Sequence, residues 1–342
     1  MRIARVATAF PPHRVKQEEA ARRIGIASGE PRRVAAIARG SHIQERALVL
    51  PAEDIGRLSS IEARNHIYEQ HAPALALEAA RRVLEDHDVS CIGLVVCVSC
   101  TGYMVPGWDV QLVQELKLSP HTTRLPITQA GCAGGVVGLS RAADYLRAHP
   151  DRTALVVATE LCSLAFHADP DPGNLTAALI FGDGAAAAVL DNDPAADDGI
   201  EVVDALSTLL PETQRDIGFD LTDAGLFPVL SRELADILAI PTRDTIVGLL
   251  ARHGLKPHDV GFWLVHAGGA AILSGIERAL CLPCDALRWS WDSLSTRGNL
   301  SSASVLDVTS RYLDDASAAR GWGIVLAFGP GVSIETLLVR RC

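Results

Sequence analysis

The sequence predicts an α/β protein built as two halves related by a pseudo-twofold axis. Three observations lead there. Short apolar runs rich in β-branched residues alternate with stretches of helical periodicity, the pattern of layered α/β folds. The two halves of the 342-residue chain contain segments that read alike. Apolar residues make up 48% and charged residues 21%, which supports a large buried core and argues against disorder or low complexity.

In chain order, the candidate strands are IGLVVCVS (92–99), ALVVATE (154–160), AAAAVLD (185–191), VGFWLVH (260–266), GIVLAFG (323–329) and SIETLLVR (333–340). Each is a short apolar run of the kind buried inside a sheet. Candidate helices occupy 73–86, 109–116, 134–148, 243–253, 270–280 and 301–316. In 134–148 the periodicity is explicit, with Val136, Val137, Leu139, Ala143 and Leu146 at helical intervals. The acidic stretch DNDPAADDG (191–199), with its proline and glycine, is the best boundary and divides the chain into halves 1–195 and 196–342.

The halves follow one plan. HDVSCIGLVVCVSC leads through a loop and helix to GCAGGVVGLSRAADYLRAHPDRTALVVATE, and PHDVGFWLVHAGG leads through a helix to GNLSSASVL and GWGIVLAFG. Each then closes with a turn and an apolar strand, FGDGAAAAVL or FGPGVSIETLLV. Cys132 and Asn299 take matching places, each just ahead of a helix that runs into a buried strand. The offsets are similar: 23 residues separate Cys132 from Leu155, and 25 separate Asn299 from Ile324. Such a duplication brings both helix N-termini toward one central site.

Bulk properties narrow the function. The formal net charge is −10, the pI is about 5.5, and only three lysines occur, with no Lys/Arg block of the kind nucleic-acid binders carry. The N-terminal residues show no apolar core of a signal peptide, and no run of about 18 uncharged apolar residues suggests a membrane span. The eight cysteines sit mostly in apolar runs and read as reduced thiols. A soluble cytoplasmic protein is expected.

Three residues stand out chemically. Cys132 lies among the glycines of ITQAGCAGG (127–135), where a strand-like stretch gives way to a helix. The partial positive charge and free N–H groups of a helix N-terminus favour a thiolate and are expected to lower the thiol pKa from about 8.5. The alternative is a small buried core residue. His266 closes the strand FWLV, at the carboxyl end where open α/β sheets place their sites; the alternative is a satisfied strand-end histidine. Asn299, in TRGNLSSAS, is either a helix cap or a site residue, and its symmetry with Cys132 favours the second. The pairs CVSC (97–100) and CLPC (281–284) raise a zinc site, but they are far apart in sequence, and Cys97 and Cys100 would face opposite sides of a sheet. No metal is expected. The Gly-x-Gly of FGDGA and FGPG precedes no helix, so these read as tight turns lining a cavity and not as dinucleotide fingerprints.

Taken together, TGYMVPGWDVQL, GCAGG, IFGDGAAAAVL, LVHAGG, GNLSSASVL and FGPGVSIETLLV resemble the chalcone-synthase-like, or type III, polyketide synthases of the thiolase superfamily. The motifs keep the family order over about residues 92–340, with weaker similarity in ATAFPPHRV. The resemblance implies a thiolase-like five-layered αβαβα fold, a homodimer, acyl-CoA and malonyl-CoA as substrates, and no metal or redox cofactor. It implies that Cys132 is the nucleophile and that His266 and Asn299 are its catalytic partners. Phe181 matches a gatekeeper aromatic between a coenzyme A tunnel and the reaction cavity, and a second gatekeeper falls near Phe227 and Pro228. Ser301, Gly329, Pro330 and Gly331 match cavity positions.

The chain also departs from the plant enzymes. Cys100 and Thr101 replace Thr-Ser, Cys162 and Ala165 replace two threonines, and Phe219 replaces a glycine. The entrance lysines are missing; Arg32, Arg33 and Arg39 lie nearby as phosphate-binding candidates or as a solvated helix face. The SCTGYMVPG and GCAGG contexts are closer to bacterial members that make alkylpyrones or alkylresorcinols from fatty acyl starters. The expected reaction is acyl loading on Cys132, malonyl-CoA decarboxylation, Claisen extension and cyclisation to a pyrone or resorcinol-type product. Backbone N–H groups of Cys132 and of Gly331 or Val332 would hold the oxyanion, since Pro330 has none. The nearest rival is a ketoacyl-carrier-protein synthase III, which shares the Cys-His-Asn set but usually carries an HQAN-like context and lacks GPG.

Overall fold

The computed structural model describes residues 1–193 and 198–341. The boundary at 195/196 and Cys342 lie outside the described residues. In chain order the strands are β1 (Arg2–Ala9), β2 (His13–Lys16), β3 (Glu45–Leu48), β4 (Ile92–Val98), β5 (Thr123–Ile127), β6 (Thr153–Leu161), β7 (Asp183–Asp191), β8 (Ile200–Leu209), β9 (Ile217–Thr222), β10 (Gly225–Leu230), β11 (Val260–Val265), β12 (Gly321–Gly329) and β13 (Ser333–Arg341).

Nine strands form one mixed sheet in the order β11-β12-β13-β8-β1-β7-β6-β4-β5. The two halves repeat one pairing scheme. β4 runs parallel to β6, which is antiparallel to β7 and β7 to β1; likewise β11 runs parallel to β12, which is antiparallel to β13 and β13 to β8. A short β1–β8 pairing, Arg2 with Glu201 and Ile3 with Ile200, joins the halves.

Strand side chains alternate faces, and here both faces are buried. From β4, Leu94, Val96 and Val98 join an inner cluster with Val136 and Leu139. Val95 and Cys97 point the other way, against Tyr68, Leu75 and Ala79 of the helix Ile61–Val83. The helices Gly134–Ala148 and Ser304–Asp314 each touch strands of both halves and form the central layer. Helix Ile61–Val83 covers β1, β6 and β7 from outside, and helix Leu234–Ala251 covers β8 and β13. The layering is therefore helix, sheet, helix, sheet, helix.

All six candidate strands and all six candidate helices exist; the helices 134–148 and 270–280 have the expected bounds, and the others have shifted ends. Two helices start earlier than their sequence signals. The first runs from Ile61, where the Ser60 hydroxyl accepts the Ala63 N–H at 3.1 Å, and carries Pro73 in its interior. The other begins at Leu234 and carries Pro241 inside. In both cases a proline lacking an N–H is tolerated because packing supplies the stability its missing bond would give. Helix 301–316 resolves into a 3₁₀ turn, Ser301–Ala303, followed by the α-helix Ser304–Asp314.

The register between the halves differs from that inferred. A 3₁₀ turn Gly131–Ala133 precedes the helix at Gly134 as Ser301–Ala303 precedes the helix at Ser304. Both turns open on a residue in the left-handed region, Gly131 at φ 53° and Ser301 at φ 50°. Cys132 therefore matches Ser302, not Asn299. With that pairing the offsets agree, 23 residues from Cys132 to Leu155 and 23 from Ser302 to Val325. Asn299 lies three residues before its symmetry-matched position, in the segment that bridges to Phe181.

Candidate active site

The two turns meet. A Cβ on Gly135 would lie 2.3 Å from the Ser302 carbonyl oxygen, so only glycine lets the two helix starts approach this closely. Gly131 holds its left-handed turn under Pro330, whose Cδ would be 2.6 Å from an added Cβ. Cys132 is thus presented at the start of a helix, beneath the Gly329–Gly331 turn.

His266 directly follows β11 and is 2% exposed, with its N–H donated to the Leu326 carbonyl at 2.8 Å. Its Nδ1 has no hydrogen-bond partner. Asn299 is fixed through its backbone, its N–H donating to Ile180 O at 2.7 Å and its carbonyl accepting from Gly182 N at 2.9 Å. That bridge sets it beside Phe181. Its amide donates to Gly268 O at 3.0 Å, and its Oδ1 accepts the Ser301 N–H at 2.8 Å. Asn299 therefore caps the following turn and also lines the cavity.

Cys132, His266 and Asn299 line one cavity of about 70 Å³. Phe181, Ser301, Pro330, Cys100, Thr101, Cys162, Ala165 and Phe219 line it too. Gly329 and Gly331 do not; Gly329 packs on Ala130 and Ala133, and Gly331 faces Leu209. A larger outer cavity, about 870 Å³, opens beside it. Ile180, Pro228, Leu230, Leu234, Gly268 and Ile272 line both and form the throat. Of the two residues near the expected second gatekeeper, Pro228 is in the throat, and Phe227 lines only the outer cavity, stacked on His167 at 3.8 Å. Arg32, Arg33 and Arg39 are not among the residues lining the outer cavity; the arginines that do line it are Arg215, paired with Asp220, and Arg232.

The electrostatics correct one expectation. Burial pushes the Cys132 thiol up to about 12, while the Ser301 and Asn299 side chains pull the other way. The helix start does not by itself deliver a thiolate, because the desolvation of a charge in this cavity outweighs it. Burial also pushes His266 down to about 3. A lone charge on either group is disfavoured in this cavity. A second correction concerns the oxyanion donors. The Val332 N–H is already donated to the Thr213 hydroxyl and Gly331 does not line the cavity, which leaves Cys132 as the backbone candidate.

Sequence reasoning missed Glu160. This fully buried carboxylate ends β6 and accepts from Cys100 N at 3.1 Å, Thr101 Oγ1 at 2.8 Å, Ser302 Oγ at 2.5 Å and Ser301 Oγ at 3.4 Å. Burial raises its pKa while these donors lower it. The available signal was a lone acid closing an otherwise apolar strand, ALVVATE.

A duplicated α/β unit whose halves meet over one enclosed thiol-bearing cavity is the architecture of the thiolase-like enzymes. The sequence profile "Chalcone and stilbene synthases, N-terminal domain" matches residues 36–194, and its C-terminal counterpart matches 201–342. The chain is 36% identical to a 1,3,6,8-tetrahydroxynaphthalene synthase of Streptomyces peucetius subsp. caesius, covering 99% of this chain and 92% of that protein. It is 32% identical to an alpha-pyrone synthesis polyketide synthase-like protein of Mycobacterium tuberculosis, over 98% and 90% of the two chains. The crystal structure of the 1,3,6,8-tetrahydroxynaphthalene synthase of Streptomyces coelicolor superposes with a TM-score of 0.93 at 30% identity, covering 99% of each chain. The chain belongs to the chalcone and stilbene synthase family, the type III polyketide synthases. It is accordingly an acyltransferase of the decarboxylative Claisen-condensing kind, and its family works on acyl-CoA and malonyl-CoA with no further cofactor. Among the described residues no cluster of His, Cys, Asp or Glu is arranged for a metal ion, and no helix is long and apolar enough to cross a membrane.

Proposed function

We propose that the chain loads a medium- or long-chain fatty acyl group from coenzyme A onto Cys132, extends it with malonyl units and cyclises it to a pyrone or resorcinol-type product. The observation that carries this reading is the convergence of Cys132, His266 and Asn299, from three separate elements, on one apolar cavity. His266 takes the proton from Cys132 as sulfur attacks the acyl carbonyl, and no isolated charge forms in the buried site. After malonyl-CoA loses carbon dioxide, the enolate oxygen is held by the neutral imidazole N–H and the Asn299 amide. The carbanion then attacks the acyl-cysteine, and the tetrahedral oxygen is held by the backbone N–H of Cys132.

Phe181 acts as the gate, with Pro228 across the throat. Cys100, Thr101, Cys162, Ala165, Phe219 and Ser301 shape the cavity, and small side chains at 162 and 165 leave room for an alkyl chain. The units 1–195 and 196–342 act as the two halves of one catalytic body. The chain works as a cytoplasmic homodimer. The test is acyl transfer followed by mass spectrometry: Cys132→Ala should carry no acyl group after incubation with an acyl-CoA, yet retain some malonyl-CoA decarboxylation. Unchanged loading on that variant would remove Cys132 from the mechanism.

A further inference from the structure

Behind the catalytic cavity lies a second pocket of about 110 Å³. Its apolar wall includes Val15, Ala20, Ile24, Leu48 and Ile55. Arg46 lines it as well, donating to the carbonyls of Ala178 and Phe181 at 2.8 and 2.6 Å. Phe166 lines both this pocket and the catalytic cavity, so its ring forms part of the wall between them. On the outer side the pocket is continuous with a surface cleft of about 410 Å³, because Val15, Arg23, Leu48 and Ala52 line both.

The cleft brings His13, Arg14, Lys16 and Arg23 together with Glu19 and Glu53. Both acids are already engaged. Arg23 pairs with Glu19 at 2.5 Å and with Glu53 at 3.1 Å, and Arg22 also holds Glu19 at 2.8 Å. Arg14 and Lys16 make no ion pair among the described residues. In the β2–β3 register Arg14 stands opposite Ala47, and Lys16 stands opposite Glu45. Both basic side chains are exposed. In a chain with a formal net charge of −10, this is a locally positive rim around an apolar hole.

We propose that the pocket and cleft bind a single-tailed anionic amphiphile of the fatty-acid type. The alkyl chain packs against Val15, Ile24, Leu48 and Ile55 as far as Phe166, and the carboxylate rests on Arg14 and Lys16. The tail gains by leaving water, at roughly 25 cal/mol per Å² of apolar surface buried. The head finds two cations with no competing carboxylate in contact. This site is separate from the catalytic cavity and needs no chemistry there.

Calorimetric titration of the full-length protein with decanoate, decanol and acetate tests the proposal. Decanoate should bind saturably, decanol at least tenfold more weakly, and acetate not measurably. Ala27 lines the pocket and is exposed, so Ala27→Trp plugs it with little disturbance to the core. That variant, and separately the double variant Arg14→Ala/Lys16→Ala, should each weaken decanoate tenfold or more. Both should keep the wild-type melting temperature and malonyl-dependent turnover with a short acyl-CoA. If Ala27→Trp fails to fold, the double variant decides alone. Absence of saturable decanoate binding, or an affinity unchanged by either folded variant, overturns the proposal; the latter result would place decanoate in the catalytic cavity. Either outcome leaves the polyketide reading standing, since that reading depends on turnover and not on this pocket.

Discussion

Replacing Asn299 with alanine separates its two roles. The substitution removes the bond to Gly268 O at 3.0 Å and the bond from Ser301 N at 2.8 Å, both in a buried setting. A buried polar group left without a partner costs about 1–3 kcal/mol, so the two together should destabilise the protein by about 2–6 kcal/mol. In a chain of 342 residues that corresponds to a fall in melting temperature of roughly 3–8 °C. The same change removes one of the two side-chain donors proposed for the enolate oxygen, and loss of such a donor typically costs about 10²–10³ in rate. The assay is run well below the variant's melting point. Malonyl-CoA decarboxylation should fall by about 10²–10³, and acyl loading on Cys132, measured by mass, should fall less than tenfold. If Asn299 is only a cap, the melting temperature will drop while the ratio of decarboxylation to loading stays at the wild-type value. Equal losses in both steps would refute the donor role.

Other tests probe the throat and the buried acids. Ile180 lines both cavities, so Ile180→Trp should raise KM for long-chain acyl-CoA at least fivefold and leave kcat with a short starter nearly unchanged; steady-state kinetics across starter lengths would show this, and a uniform effect would count against a throat there. Asp183 is fully buried, and burial raises its pKa to about 6 against bonds from Ser163 and Val49. A raised carboxyl favours folding most below its unfolded pKa of about 3.8 and loses that contribution as pH rises through about 6. The stability of wild type relative to Asp183→Asn should therefore decline by about 3 kcal/mol between pH 4 and 7, measured by urea unfolding; a flat difference would show that Asp183 does not titrate in that range.

The fold was legible where local chemistry and architecture agree. The six apolar runs became strands because both their faces are buried, and Cys132 and His266 were visible because each sits where a strand yields to a turn. The two central strands were not legible. β1 carries Arg2 and Arg5, and β8 carries Glu201 and Asp204, charges that break an apolar run. Those charges are accommodated by partners remote in sequence, as when Arg2 reaches Asp191 at 2.9 Å. The helix starts were missed because proline usually marks an end, whereas Pro73 and Pro241 sit mid-helix. Glu160 was missed for a different reason: its donors come from residues 100, 101, 301 and 302, which only the folded sheet assembles.

The corrected register changes how the site arose from a duplicated unit. The same left-handed turn and helix start occur twice, and the glycine at 135 lets them meet. In the first half the second turn residue is Cys132, facing the cavity under Pro330. In the second half the equivalent residue is Ser302, and its hydroxyl is spent on the Glu160 carboxylate. One copy of the turn therefore supplies a thiol and the other anchors a buried acid, so a symmetric frame yields an asymmetric centre. Asn299 adds to that asymmetry by standing three residues ahead of Ser302, where its backbone bridge to Phe181 ties a proposed donor to a proposed gate. Any substitution that loosens this bridge should therefore disturb substrate admission and enolate stabilisation together, whereas a change at Ser302 should act on the Glu160 network and leave the gate in place.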